Sequence, residues 1–250
     1  MVMQMKISEK QVQAFMKSLY DNGDKELKRL FKHQYKIKGA ILSEVANIML
    51  IYVIENDVMV MSAAEQQKEM QKLSNIINSY MKADAEMQIS IISSLLANTT
   101  KDTFRFYSYN AKKKEVEKIL NESFKGKHFS NRVWDNENEV AKYLNKQIEE
   151  FIKGGVSVNK IKNNIEDTFN SGAYNAKRLT ETEISRCANS AFNRFAEEVE
   201  VKRVRRNEIL DSKTCEKCMS HDGDEWDFNN PKKPDLPVHP CCRAYWDIIE

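Results

Sequence analysis

Two short-gap pairs near residue 240 constrain this chain more than any other feature. Cys215 and Cys218 form a Cys-x-x-Cys, and His239 and Cys242 repeat the two-residue gap. Residues 219–238 between them are polar and loop-like and hold three of the four prolines. A tetrahedral zinc ion takes four thiolate or imidazole ligands, and two such pairs joined by a loop supply them. Four of the five cysteines and two of the four histidines lie between Asp211 and Arg243.

The bland alternatives are a disulfide or idle thiols. Met1–Lys6 lacks the apolar run of a secretory leader. A reducing compartment is therefore expected, where thiols stay free and metal is the better reading. The expected ligands are Cys215, Cys218, His239 and Cys242, with Cys241 and His221 in reserve. A catalytic zinc would keep one position open beside a general base. Four ligands in two compact pairs favour a closed, structural ion. Residues 211–243 also carry few apolar side chains, so the ion is expected to replace a core there.

The rest of the chain reads as helical. In 250 residues there are 7 glycines, 4 prolines and 30% charged side chains, which suits long helices and disfavours an all-β fold. Net charge is +2, so no global basic field announces nucleic acid. The apolar segment Val45–Ile54 is too short to span a bilayer and reads as a buried helix. Helical spacing covers residues 1–35, with a break expected at Asp21-Asn22-Gly23, then about 38–61, then an interrupted helix over 63–96. Phe104, Phe106, Tyr107 and Tyr109 are expected to pack against helices, base stacking being the alternative. Asn110 and Asn136 are candidate N-caps, and Gly154-Gly155 stops a helix before Ser157 caps the next. Asn170-Ser171-Gly172 is expected to end that helix, and another follows from Tyr174 to Glu198 with Cys187 on its apolar stripe.

From Val201 the pattern turns to strands. Val201–Leu210 and Ala244–Ile249 are β-branched or aromatic, with Glu225-Trp226-Asp227 as a third short strand. If they pair, they close the metal loop. Lys202, Arg203, Arg205 and Arg206 would give that sheet a basic face, which serves either phosphate contact or a charged strand edge. The expected fold is mainly α with a small C-terminal zinc-stapled β module (α+β). The expected division is 1–125, a partner-docking helical region, then 126–199, a helical domain, then 200–250, the β module.

Several pieces in fixed order carry a resemblance. They are Gly126-Lys127-His128-Phe129-Ser130-Asn131-Arg132-Val133-Trp134, Gly155-Val156-Ser157, Arg178-Leu179 with Thr182-Glu183, Asp211 with Thr214–Cys218, Asp222-Gly223, and His239-Pro240-Cys241-Cys242-Arg243. Together they resemble the phage minor head proteins, the Mu F-like head morphogenesis family, over residues 126–250. The resemblance implies a minor capsid component of a tailed phage or prophage, associated with the portal vertex. It implies portal or coat partners, a virion location after assembly in host cytoplasm, and Cys215, Cys218, His239 and Cys242 as the family's Cys/Cys/His/Cys set. The chain departs from that pattern at Cys241, Ala244 and Glu181. Cys241 and Cys242 therefore remain rivals for the fourth position. Residues 1–125 match no motif of the family.

Two other functions compete with a non-enzymatic capsid role. One is a zinc-containing His-Asn-His-type nuclease built on His221-Asp222, although the second half of that motif is missing. The other is non-specific DNA binding through the four basic residues, with no recognition helix between the ligand pairs.

Overall fold

The computed structural model describes residues 7–212 and 214–250; the leader reading at Met1–Lys6 lies outside them. The elements run in the order α1 Glu9–Ile51, β1 Val53–Glu55, β2 Val58–Val60, α2 Ala63–Phe106, α3 Lys113–Leu120, α4 Phe129–Ile152, α5 Val158–Glu198, β3 Arg203–Asn207, α6 Glu216–Met219, β4 Glu225–Asp227 and β5 Tyr245–Ile248. The chain is mainly helical with a small C-terminal sheet, as its composition and patterning predict. No helix among the described residues is long and apolar enough to cross a membrane.

Three long helices replace the shorter ones expected. α1 buries Val12, Met16, Leu19, Leu27, Leu30, Ile37, Ile41, Val45 and Ile48 on one stripe at steps of three and four, or their sums. Gly23 falls on that stripe. A Cβ there would lie 2.6 Å from the Ile184 Cδ1 atom. The glycine permits close packing and does not end the helix. Gly172 does the same within α5, where a Cβ would stand 3.1 Å from Val140 Cγ2. α2 likewise continues to Phe106 without interruption. Asn110 and Asn136 are not caps: α3 is capped at Lys112, and α4 already begins at Phe129.

The segment read as one buried helix, Val45–Ile54, ends as a helix at Ile51 and turns into a hairpin. Val53 pairs with Val60, Ile54 with Met59 and Glu55 with Val58. Asn56 and Asp57 both take positive φ, 48° and 63°, the pairing of angles that a two-residue hairpin turn of matching twist requires. Leu50, Ile51 and Val53 are exposed.

Contacts divide the chain into two compact units, each discontinuous in sequence. The first comprises residues up to Glu26, Ile92–Phe129 and Arg178–Glu250. The second comprises Leu27–Ile91 and Ser130–Lys177. This division does not follow the three contiguous spans expected from sequence, because α1, α2 and α5 each contribute to both units.

In the second unit, Ile41, Ile48, Met59, Leu73, Ile77, Leu144, Phe151, Ile161 and Ile165 share one apolar core. The hairpin joins it through Met59, and the Val158 N–H donates to Asp57 O at 2.9 Å. Gly154 closes α4 at φ +75°, and a Cβ there would stand 3.0 Å from the Met59 carbonyl oxygen. Gly154→Ala should cost about 1–2 kcal/mol, from the left-handed backbone and the carbonyl clash together. A thermal melt that moves by less than a degree would rule this out.

In the first unit the sheet order is β4-β3-β5, antiparallel throughout. Val204, Phe192, Ala196, Tyr107 and Trp246 form its core with Phe228 and Leu236. Phe104 and Tyr107 are buried, so the aromatic cluster packs as expected, with Tyr107 stacked on Phe195 at 4.8 Å. Cys187 is fully buried and burial pushes its thiol up to about 12, as an inert thiol requires.

Candidate metal centre

α6 is a single turn with Cys215 at its N-cap, and the Met219 N–H donates to Cys215 O. That turn places Cys215 and Cys218 side by side. A second turn, closed by the Cys242 N–H to His239 O at 3.1 Å, brings His239 and Cys242 opposite. β3 and β5 pair antiparallel with Asn207 against Tyr245. They hold the two ends of the loop together.

Cys215, Cys218 and His239 gather their ligand atoms within 4.8 Å of one another, and Cys242 adjoins them through Cys218. His239 Nε2 lies 3.0 Å from Cys218 Sγ and 3.4 Å from Cys215 Sγ, and Cys218 Sγ lies 3.9 Å from Cys242 Sγ. Metal–sulfur bonds of about 2.3 Å in a tetrahedron put two sulfurs about 3.8 Å apart, so the Cys218–Cys242 separation fits a shared ion. All five cysteines are free thiols. His239 Nδ1 is 2.8 Å from Pro240 O. The ring therefore carries its proton on Nδ1 and turns the Nε2 lone pair to the sulfurs, the tautomer a metal ligand needs. Burial, with Cys242 and Glu208 next in effect, pushes the Cys218 thiol up. A cation in the cluster is what would hold it as thiolate.

The reserves go elsewhere. Cys241 takes φ +60° and turns its sulfur to Arg178 O at 3.9 Å, while its N–H donates to Thr182 Oγ1 at 3.0 Å. His221 Nδ1 meets Asp224 Oδ2 at 2.8 Å at the surface. Cys242, not Cys241, is the cysteine beside Cys218.

A group that sequence reasoning missed lies behind the sulfurs. Glu208, Cys218 and Cys242 gather their ligand atoms within 4.8 Å of one another, all three buried. Arg206 donates to Glu208 Oε1 at 2.6 Å and to Cys218 Sγ at 3.5 Å. The guanidinium thus faces a sulfur that a bound metal would make anionic. Nothing local in the sequence marks Arg206 as buried; its burial follows from its place on the inner side of β3.

Alternation along β3 also corrects the basic face. Successive strand residues point to opposite sides. Arg206 is on the buried side, and only Arg203 and Arg205 share the outer one. Arg203 reaches Glu225 at 3.0 Å and Asp227 at 3.9 Å; Arg205 reaches Glu225 at 3.1 Å and Glu9 at 3.8 Å. Lys202 is exposed beyond the strand start. The four residues do not form one phosphate-binding surface, because three of them are paired with carboxylates and one of those three is buried.

The loop is less coreless than its composition implies. Cys218, Phe228, Leu236 and Cys242 are buried against Phe192, Ala196 and Trp246, so α5 and β5 supply the apolar partners the loop lacks. Comparison with protein-family models, with curated proteins and with solved structures finds no match to the chain.

Proposed function

We propose that this chain is a minor capsid protein of a tailed phage or prophage, docking on portal or coat subunits during head assembly. We propose further that its Cys/His cluster holds a structural zinc ion. A set of three thiolates and one imidazole selects a soft or borderline tetrahedral metal, and zinc has no competing redox demand.

The observation that carries the reading is that four residues of the resemblance, Thr182, Asp211, Asp222 and Arg243, tie down the loop that holds the Cys/His cluster. Arg243 pairs with Asp211, and the Cys241 N–H is fixed by Thr182. The Asp222 carboxylate accepts the Glu208 N–H at 2.7 Å, while Gly223 takes φ +87° beside it. Residues far apart in sequence are thereby tied to the loop that carries the ligands. DNA contact through the β3 arginines has less support, since their carboxylate partners offset the charge that phosphate would meet.

Co-expression of the chain with portal protein tests the docking role: the two are expected to co-purify. Failure of the wild-type chain to associate with portal or coat protein would remove the capsid reading. Elemental analysis of the purified protein is expected to give one zinc per chain, lost in a Cys215→Ser/Cys218→Ser double variant.

A further inference from the structure

The second unit holds a polar cluster that the capsid reading does not use. It joins α1 (His33, Gln34), α2 (Asp84, Gln88) and α4 (Glu137). Gln34 Nε2 donates to Asp84 Oδ2 at 2.8 Å, and Gln88 Nε2 donates to the same oxygen at 2.9 Å and to Glu137 Oε1 at 2.5 Å. One amide thus bridges two carboxylates. Asp84 is 1% exposed, Gln88 0% and Glu137 3%.

Four atoms of this cluster are buried without a hydrogen-bond partner: Asp84 Oδ1, His33 Nε2, Gln34 Oε1 and Gln88 Oε1. Such orphans are rare in folded proteins, and each costs free energy unless something fills the gap. Two of them face each other. His33 Nε2 stands 3.7 Å from Asp84 Oδ1. That is too long for a hydrogen bond. It suits two ligands of one ion bound at about 2.1 Å each.

We propose that His33 Nε2 and Asp84 Oδ1 are the protein ligands of a second cation site, which takes a divalent metal of mixed oxygen and imidazole preference whose remaining positions are filled by water. Three features agree with this. The orphaned atoms are all acceptors or an imidazole nitrogen, which is what a cation seeks and a further carboxylate would not supply. Asp84 and Glu137 bring two carboxyl groups onto one buried amide, where a cation can take the place of a proton. His33 is 32% exposed and gives the ion a way in from solvent. The donors are oxygen and nitrogen, so the site differs in chemistry from the sulfur-rich cluster on the other unit.

Mn²⁺ is the probe, since carboxylate and imidazole hold it and thiolates disfavour it. Titrating Mn²⁺ into the full-length, zinc-loaded chain at pH 7.5 should remove one equivalent from the free-ion paramagnetic resonance signal. D84N and H33A should weaken that binding by about tenfold or more, while C215S should leave it unchanged. D84N is isosteric and removes a buried charge, so its fold should persist; circular dichroism checks this. A free-ion signal undiminished up to millimolar Mn²⁺ would overturn the proposal and leave the cluster holding only a proton or water. Equal binding by wild type and folded D84N would overturn it as well.

Discussion

Replacing Cys218 by serine should lower the unfolding midpoint of the first unit by more than about 10 °C. The side chain is 3% exposed, stands between His239 and Cys242, and belongs to the core that includes Trp246. The change would remove a ligand of the proposed ion and bury a hydroxyl where a sulfur fitted. Structural zinc supplies on the order of 10 kcal/mol of apparent binding free energy in small domains. Here part of the loop is held by α5 and β5, so only a fraction of that should be lost. A loss of about 4 kcal/mol already moves the midpoint by about 10 °C in a chain of this size. Cys215 is exposed, so Cys215→Ser should cost less even though it removes a ligand too. Tryptophan fluorescence from Trp246 reports the transition. Equal midpoints for wild type and Cys218→Ser, with and without a chelator, would show that no ion holds this loop.

Raising the pH from about 5 to 9 in the presence of chelator should destabilise the second unit by up to about 4 kcal/mol. Burial, and then the Asp84 carboxylate, push Glu137 up to about 8. Burial also raises Asp84, against the pull of Gln34, Gln88 and His33. Between the ordinary carboxyl range and pH 8 the folded state therefore binds more protons than the unfolded chain. Stability is fully present at low pH and is lost as the pH rises through the folded value. Glu137→Gln keeps the bridge to Gln88 without a titrating group, so its stability should vary less over this window. If the two proteins lose stability in parallel, Glu137 does not hold the proton.

Much of the first unit's site was legible because ligand spacing is a short-range property. Cys215-x-x-Cys218 and His239-x-x-Cys242 each fit within one turn, and β3 and β5 are marked by β-branched and aromatic residues on either side. The spacing favoured Cys242 over Cys241 without deciding between them. The choice depends on the positive φ at Cys241 and on Thr182, which is 59 residues away. Arg206 and Glu208 were missed for a related reason: charged residues read as surface until a buried partner is known. The helix breaks expected at Gly23 and Gly172 failed because packing overrode local propensity. Each glycine sits where a neighbouring side chain would have to shift to admit a Cβ. The hairpin after α1 was hidden by an apolar run whose length suits a helix or a strand equally. The carboxylate cluster of the second unit could not be read at all, since its members come from three helices with no local spacing to unite them.

Along the sequence, both segments of the second unit precede the last segment of the first, and this sets an order of events during synthesis. Every segment of the second unit has been made once Lys177 emerges, whereas the first needs β5 near residue 248 to pair with β3. On a ribosome working from the N-terminus, the second unit can settle while the first still lacks its last segment.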